Sequence, residues 1–480
     1  MEHRPGDRDM NTAWRAWRSL VLGLAVGLAP LSAVHAESGL TVGFGETDIT
    51  PKVGEKPVYL AGFGNNRLAT GVHDPLKARA VVLGDGKTRI ALVSVDLVGF
   101  FHDNVLRVRQ QLPTFAYVLV SSTHNHEGPD SLGLWGPTTP LPRSGVDPEY
   151  MALVEKQIVQ AVQAAERNAR PATAELGVVQ APELLHDGRE PYVLHDDLVV
   201  LRFKDAAGKP VGLLVQWNCH PETLGSKNTQ VSSDYVGYTV NALQQKHGCP
   251  VAYFTGTVGG LLTSLSVPIK SASGEELKDG TYEKTERYGL LLADRASEAV
   301  ARARPINLTP ISARHRIVYL PMTNKLYKAA QLIGVLARPS FLWSGDPYRA
   351  EPASRDDVEK PQCIRSEVGI LKLGDLEAVA IPGEIYPELV LDKVQDPVDP
   401  GADFPDAPVE PAVYKQLKAP HRMIFGLAND EIGYILPKRQ WDEKAPYCYG
   451  RKKAQYGESN SIGPDAGPII CRAIKELAEQ

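Results

Sequence analysis

Six short runs of apolar and β-branched residues recur along the chain and limit what it can fold into: Ile90–Val95, Ala116–Ser121, Gly212–Trp217, Val251–Phe254, Val368–Leu373 and Leu376–Ile381. Each has the length of a strand, and turn or helix signals bound it. The last two flank Gly374-Asp375, a pairing that predicts a tight hairpin. Helical segments alternate with these runs. Asp147-Pro148-Glu149 reads as an N-cap with Pro at the first helical position, opening an apolar-periodic stretch to about Ala165. A second helix is expected from about Glu286 to Ala303, ahead of Pro305, and a third from about Ala466 to Ala478. Strands interleaved with helices predict an α/β fold, with mixed β-sheets flanked by helices. Lys393–Pro411 and Ser340–Pro361 read as long surface loops, and no repeat or linker divides the chain. A single catalytic domain over 37–480 is the expectation.

With 43% hydrophobic residues among 480, the chain can bury a large core. The formal net charge of -5 and the lack of any dense Lys/Arg run argue against a nucleic-acid partner. Arg15 and Arg18 precede an apolar run, Leu20 to Leu31, which ends before Val34-His35-Ala36. This pattern predicts a signal peptide over 1–36, with Glu37 as the mature start, and export to the periplasm or the medium. Pro30 interrupts the run, which is short for a membrane span. No later segment reaches the ~18 apolar residues of a spanning helix, so no transmembrane span is expected after cleavage. The oligomeric state is left open by the sequence. Five cysteines are scattered without a CxxC pair, which excludes a thiolate zinc cluster. Export permits disulfides, and Cys363 with Cys448 is the first pair to test.

Four strand-like runs are followed by a polar group: Asp96, His124, His220 and Glu384. In α/β sheets, ligands collect in the crevice beyond the strand ends, so these four are expected to converge. Ser122 to Pro129 is the densest segment, with His124-Asn125-His126 at its centre. An extended backbone would turn both imidazoles to one face. Paired imidazoles suit a cation that accepts nitrogen lone pairs, and zinc is the usual one. Taken alone, an H-x-H pair is a weak signal; its place after a buried-strand pattern strengthens it. His220, fixed by Pro221, and Glu384, after the Pro382-Gly383 turn, could complete the donor set. Two or three histidines, one carboxylate and an open position for water are what a hydrolytic zinc site requires.

These residues sit within a longer series of short motifs. Gly43-Phe44-Gly45, Asp48-Ile49-Thr50-Pro51, Leu60-Ala61-Gly62-Phe63-Gly64 and His73-Asp74-Pro75-Leu76 come first. After the histidine segments follow Ser233-Asp234, Pro382-Gly383-Glu384, Asn429-Asp430 to Tyr434, and Tyr456-Gly457 to Gly463-Pro464. The series resembles the catalytic domain of the neutral (non-lysosomal) ceramidases, which hydrolyse the amide of N-acylated sphingoid bases. The resemblance implies that His124, His220, Glu384 and Tyr434 bind Zn2+, with His126 beside the metal as a proton-transfer group. It further implies that Arg189 and Tyr456 stabilise the developing oxyanion when zinc-bound hydroxide attacks the amide.

Two departures from that pattern stand out. The family's small polar run after the strand ending at Phe254 is replaced by Gly256 to Thr263, without its acidic and serine positions. The sequence also stops soon after its final helix, where full-length ceramidases continue into a β-sandwich domain. An N-acyl amide is the expected small-molecule substrate. The rivals are an esterase or lactonase on the same site, and a degenerate metal-dependent binding protein. The sequence offers no basic amphipathic helix suited to a membrane face, so a smaller, soluble acyl amide is expected over long-chain ceramide. Lys325 to Leu336 could be a lid over the cleft or an ordinary packed helix.

Overall fold

In the computed structural model the described residues are 39–354 and 356–480; the expected leader lies outside them. The apolar runs all become strands, distributed over three mixed sheets. The first sheet carries Thr41–Asp48, Lys77–Gly84, Arg89–Val95 and Tyr117–Ser122, the last two running parallel. Thr173–Gln180, Asp197–Lys204, Pro210–Trp217 and Val251–Thr255 make the second, again with its last pair parallel. The third is built on Ile311–Pro321, Gln362–Leu373, Leu376–Ala380 and His421–Phe425. Gly374-Asp375 closes the expected hairpin, Leu373 pairing directly with Leu376.

Side-chain alternation explains how the sheets stack. Val81 and Leu83 enter a core shared by all three sheets, while Ala80 and Val82 point to the opposite face, beneath the Pro148–Arg167 helix. The outer faces of the other two sheets are covered in the same way. Asp234–His247 and Tyr282–Arg302 cover the second, and Ala466–Ala478 the third. The expected α/β architecture of mixed sheets flanked by helices is therefore the one observed. Among the described residues no helix is long and apolar enough to cross a membrane.

Helix ends follow local chemistry. The Asp147 carboxylate accepts a hydrogen bond from the Glu149 N–H at 2.9 Å, as its N-cap position predicts. The second expected helix starts a turn earlier than periodicity suggests, at Tyr282, because the Thr281 hydroxyl caps it through the Lys284 N–H. The Asp234–His247 helix was not anticipated. Its first residue has a positive φ and Gly237 interrupts its apolar pattern, yet Tyr235, Val236, Val240 and Leu243 bury one face. Ser340–Pro361 is not wholly loop. Phe341–Trp343 and Ala350–Pro352 pair antiparallel and extend the third sheet, in strands too short to read from sequence.

The expected Cys363–Cys448 disulfide is absent. All five cysteines are free and buried. Cys363 lies within a central strand of the third sheet, whereas Cys448 sits in a separate turn. Burial pushes each of these two thiols up to about 12, so neither is poised to react.

Candidate active site

The three sheets deliver their reactive groups to one place. His124 follows the Tyr117–Ser122 strand of the first sheet, His220 follows Pro210–Trp217 of the second, and Glu384 follows Leu376–Ala380 of the third. The ring centroids of His124 and His220 are 4.8 Å apart, as are those of His124 and His126. Glu384 Oε2 lies 3.3 Å from His124 Nε2 and 3.0 Å from His220 Nε2. Glu384 and Tyr434 are opposite each other in a two-residue parallel ladder, and the Tyr434 hydroxyl reaches His220 Nε2 at 3.3 Å.

Second partners fix which nitrogen of His124 and His220 is free. His124 Nδ1–H donates to the Val98 carbonyl at 2.7 Å, and His220 Nδ1–H to the Leu262 carbonyl at 2.8 Å. His126 Nδ1 stands 3.1 Å from Glu222 Oε2. In His124 and His220 the nitrogen turned toward Glu384 is therefore Nε2, the one a metal would take, while the His126 Nδ1 contact does not reach hydrogen-bond geometry. Burial lowers His126 to about 4, so the ring is neutral near pH 7. Burial pushes Glu222 up, but its contacts with His126, with His220 and with the Thr263 hydroxyl outweigh it and bring the carboxyl to about 2. The same contest holds Glu384 well below the usual carboxylate range, His124 and His220 overcoming its burial.

The donor set fits a divalent cation. His124, His126 and His220 could together hold a metal ion, their ligand atoms lying within 4.8 Å of one another. A carboxylate oxygen is shared between two of them, His124 and His220, and each of these two tautomers is set by a carbonyl, an arrangement typical of metal-ligating histidines.

The backbone route to this geometry differs from the extended segment expected. His124 has φ +65°, the left-handed region that a non-glycine residue seldom enters. Hydrogen bonds from Thr123 N to Val95 O (2.8 Å) and Asn125 N to Leu97 O (3.1 Å) hold the kink on both sides. His126 is then positioned by close packing. Gly62 has φ +96°, and a β-carbon there would stand 2.2 Å from His126 Cγ. Gly62→Ala is accordingly expected to displace the imidazole and lower kcat by about 10²-fold, the scale of a 1 Å misplacement. Circular dichroism and metal content should stay near wild type, and an unchanged kcat would refute this account of His126.

Above the imidazoles lies a cavity of about 530 Å3 with walls of Phe63, Phe101, Leu132, Trp135, Leu336 and Ile462. Tyr456 lines it too, 47% exposed, its ring edge-on to Tyr434 at 5.6 Å. The Lys325 to Leu336 segment supplies part of the wall. Its helix, Lys325–Leu332, sends Tyr327 inward and leaves Leu326 and Leu332 facing solvent.

Two expected participants are elsewhere. Asp96 does not converge with the others, because Arg79 Nη1 grips both of its carboxylate oxygens at 2.9 Å and the Lys77 N–H donates to it. Arg189 does not line the cavity. Its buried guanidinium is paired with Glu458, donates to the Gln440 carbonyl at 3.0 Å and lies over the Tyr386 ring. Those contacts hold the guanidinium outside the cavity lining, although its Nε–H has no hydrogen-bond partner. Conversely, the Gly256 to Thr263 segment takes part in the site. Leu262 supplies the carbonyl that orients His220, and the Thr263 hydroxyl donates to Glu222. Glu222 was not singled out from the sequence, although its place two residues after His220 could have marked it.

Fold and site together define an α/β protein with a buried imidazole–carboxylate centre at the floor of an apolar cavity. Residues 40–183 match the family model described as neutral/alkaline non-lysosomal ceramidase, N-terminal. Over that stretch the chain is similar to the family, and curated relatives extend the likeness. It is 25% identical to a neutral ceramidase of Pseudomonas aeruginosa over 334 residues, covering 63% of this chain and 48% of that protein. It is 28% identical to neutral ceramidase B of Dictyostelium discoideum over 229 residues, covering 42% of this chain and 31% of the relative. The chain thus spans between about a third and a half of these curated relatives. The crystal structure of the Pseudomonas aeruginosa neutral ceramidase superimposes with a TM-score of 0.68 at 18% identity, covering 92% of this chain and 74% of that one. A second solved structure, a ceramidase complexed with C2, gives a TM-score of 0.67 at 17% identity.

Proposed function

We propose that this protein is a zinc-dependent amidohydrolase that cleaves a linear N-acyl amide, and that it acts after export to the periplasm or the medium. The observation that carries the reading is the convergence of His124, His220 and Glu384 from three sheets beneath an apolar-walled cavity. Zinc bound there would supply Lewis acidity and lower the pKa of water.

The protein's own groups account for the remaining chemistry. His124, His220, Glu384 and Tyr434 would form the metal shell. His126, neutral and backed by the Glu222 carboxylate, can accept a proton at Nε2 and return it to the departing amine. Glu222 stabilises the imidazolium that forms. At the cavity mouth the Tyr456 hydroxyl can donate to the oxygen that gains charge during attack, a role in which Arg189 finds no support from its contacts. The apolar walls take up the acyl chain. A cavity of about 530 Å3 lies within the range of sites for drug-sized ligands (about 300–1,000 Å3), which favours a short or single chain over a two-chain lipid.

The test is a panel of short-chain N-acyl amines, their ester analogues, lactones, and long-chain ceramide in mixed micelles, offered to the purified zinc-loaded protein. The amides should be consumed, with a higher kcat/KM for short-chain amides than for ceramide. Faster turnover of every ester or lactone than of its amide counterpart would make the protein an esterase. A clear advantage for ceramide would overturn the size preference, and no turnover in any arm would leave a metal-dependent binding protein.

A further inference from the structure

One charged group in the cavity wall has no part in the chemistry above. Glu431 lies in the turn that leads to Tyr434, and its side chain is about nine-tenths buried. Oε1 accepts from the Gly433 N–H at 2.7 Å, while the equally buried Oε2 has no hydrogen-bond partner. The neighbouring cation, Arg338, is committed elsewhere. Its Nη2 donates to the Asp430 carboxylate at 2.7 Å and to the Arg365 carbonyl, and its Nη1 to the Glu431 backbone carbonyl. The side chain cannot readily swing away, because Gly99 packs against it so closely that a β-carbon there would stand 2.7 Å from Glu431 Cβ.

A buried carboxylate with neither countercharge nor full hydrogen bonding is costly, and the cost is relieved by whatever brings a donor and a positive charge. Among the charged cavity-lining residues, Glu384 belongs to the metal centre and Arg338 is already paired, so the described residues that line the cavity offer no such partner. Burial and the nearby Glu384 both push Glu431 well above the usual carboxylate range, which holds the side chain toward its neutral form until a countercharge arrives.

We infer that Glu431 is a recognition residue for a cationic nitrogen carried by the ligand of this cavity. Its bearing on catalysis rests on the amidohydrolase reading: the favoured substrate is an N-acyl amide with a second, protonated nitrogen. Binding can be tested without that reading.

Hexylguanidinium and hexylurea have nearly the same shape and both present N–H donors, but only the first is charged, and its protonation prevents it from ligating a metal. By calorimetry on the zinc-loaded protein, hexylguanidinium should bind about tenfold tighter, the scale of a hydrogen bond to a charged group. Glu431→Gln should abolish the difference while keeping its metal content and thermal midpoint. In the catalytic arm, a mono-acylated diaminobutane should exceed the acylated butylamine in kcat/KM by a similar factor, and Glu431→Gln should level the two. Equal binding of the two probes by the wild-type protein would overturn the inference with no variant needed. So would loss of metal in Glu431→Gln, which would put the residue at the metal. Turnover without charge preference defeats this inference alone, whereas a charge preference in binding with no amide turned over defeats the amidase reading alone.

Discussion

His124→Ala and His220→Ala should each purify with little or no zinc, against about one ion per chain in the wild type. Activity should fall by more than about 10³-fold, since the metal is asked to activate water and stabilise charge together. The structural reason is that each imidazole has one nitrogen committed to a carbonyl, Val98 or Leu262, and one facing Glu384. Neither ring has another task in the fold. Metal analysis with thermal unfolding separates the possibilities: the variants should lose metal and the stability it confers, yet remain folded without it. Full zinc occupancy in the double variant would disprove the site.

His126→Ala should behave differently. Its zinc content should stay near wild type, while turnover drops by about 10² to 10⁴, the scale of a general acid–base group. Glu222→Gln should give a smaller loss, because an amide can still accept from Nδ1–H but no longer stabilises the imidazolium. The prediction is demanding, since His126 stands with His124 and His220 in one group of possible metal ligands. If zinc disappears in step with activity, His126 is a ligand and the proton must travel by another group.

Much of the centre was legible because strand ends are local. The runs preceding His124, His220 and Glu384 announce themselves by apolar content, and each ends where its polar residue begins. The caps at Asp147 and the Gly374-Asp375 hairpin are equally local, set by a few side chains and one turn. What could not be read depends on partners distant in sequence. Asp96 sits at a strand end like the others, yet Arg79 on the adjacent strand takes its charge. Arg189 is claimed by Glu458, and Glu431 becomes conspicuous only once Arg338 is found bound to Asp430. The left-handed turn at His124 was also hidden, because histidine carries no signature of that backbone region as glycine does.

Because each sheet contributes one of His124, His220 and Glu384, no single sheet contains the centre. The Glu384 and His220 partners are separated by 164 residues, and Tyr434 lies 214 from His220. A chain with only two sheets docked would present an incomplete ligand set, too weak to compete for scarce metal. On the proposed reading, metal capture would therefore come at the end of folding rather than guide it, the reverse of small zinc modules, whose ion organises the chain. Contacts so far apart along the chain also make assembly slow. Once bound, the ion would tie the three sheets together at their ends, so release of any one sheet would require its loss. On that reading the interval between synthesis and activity would be set by sheet docking, and the resistance of the finished molecule to opening by the ion.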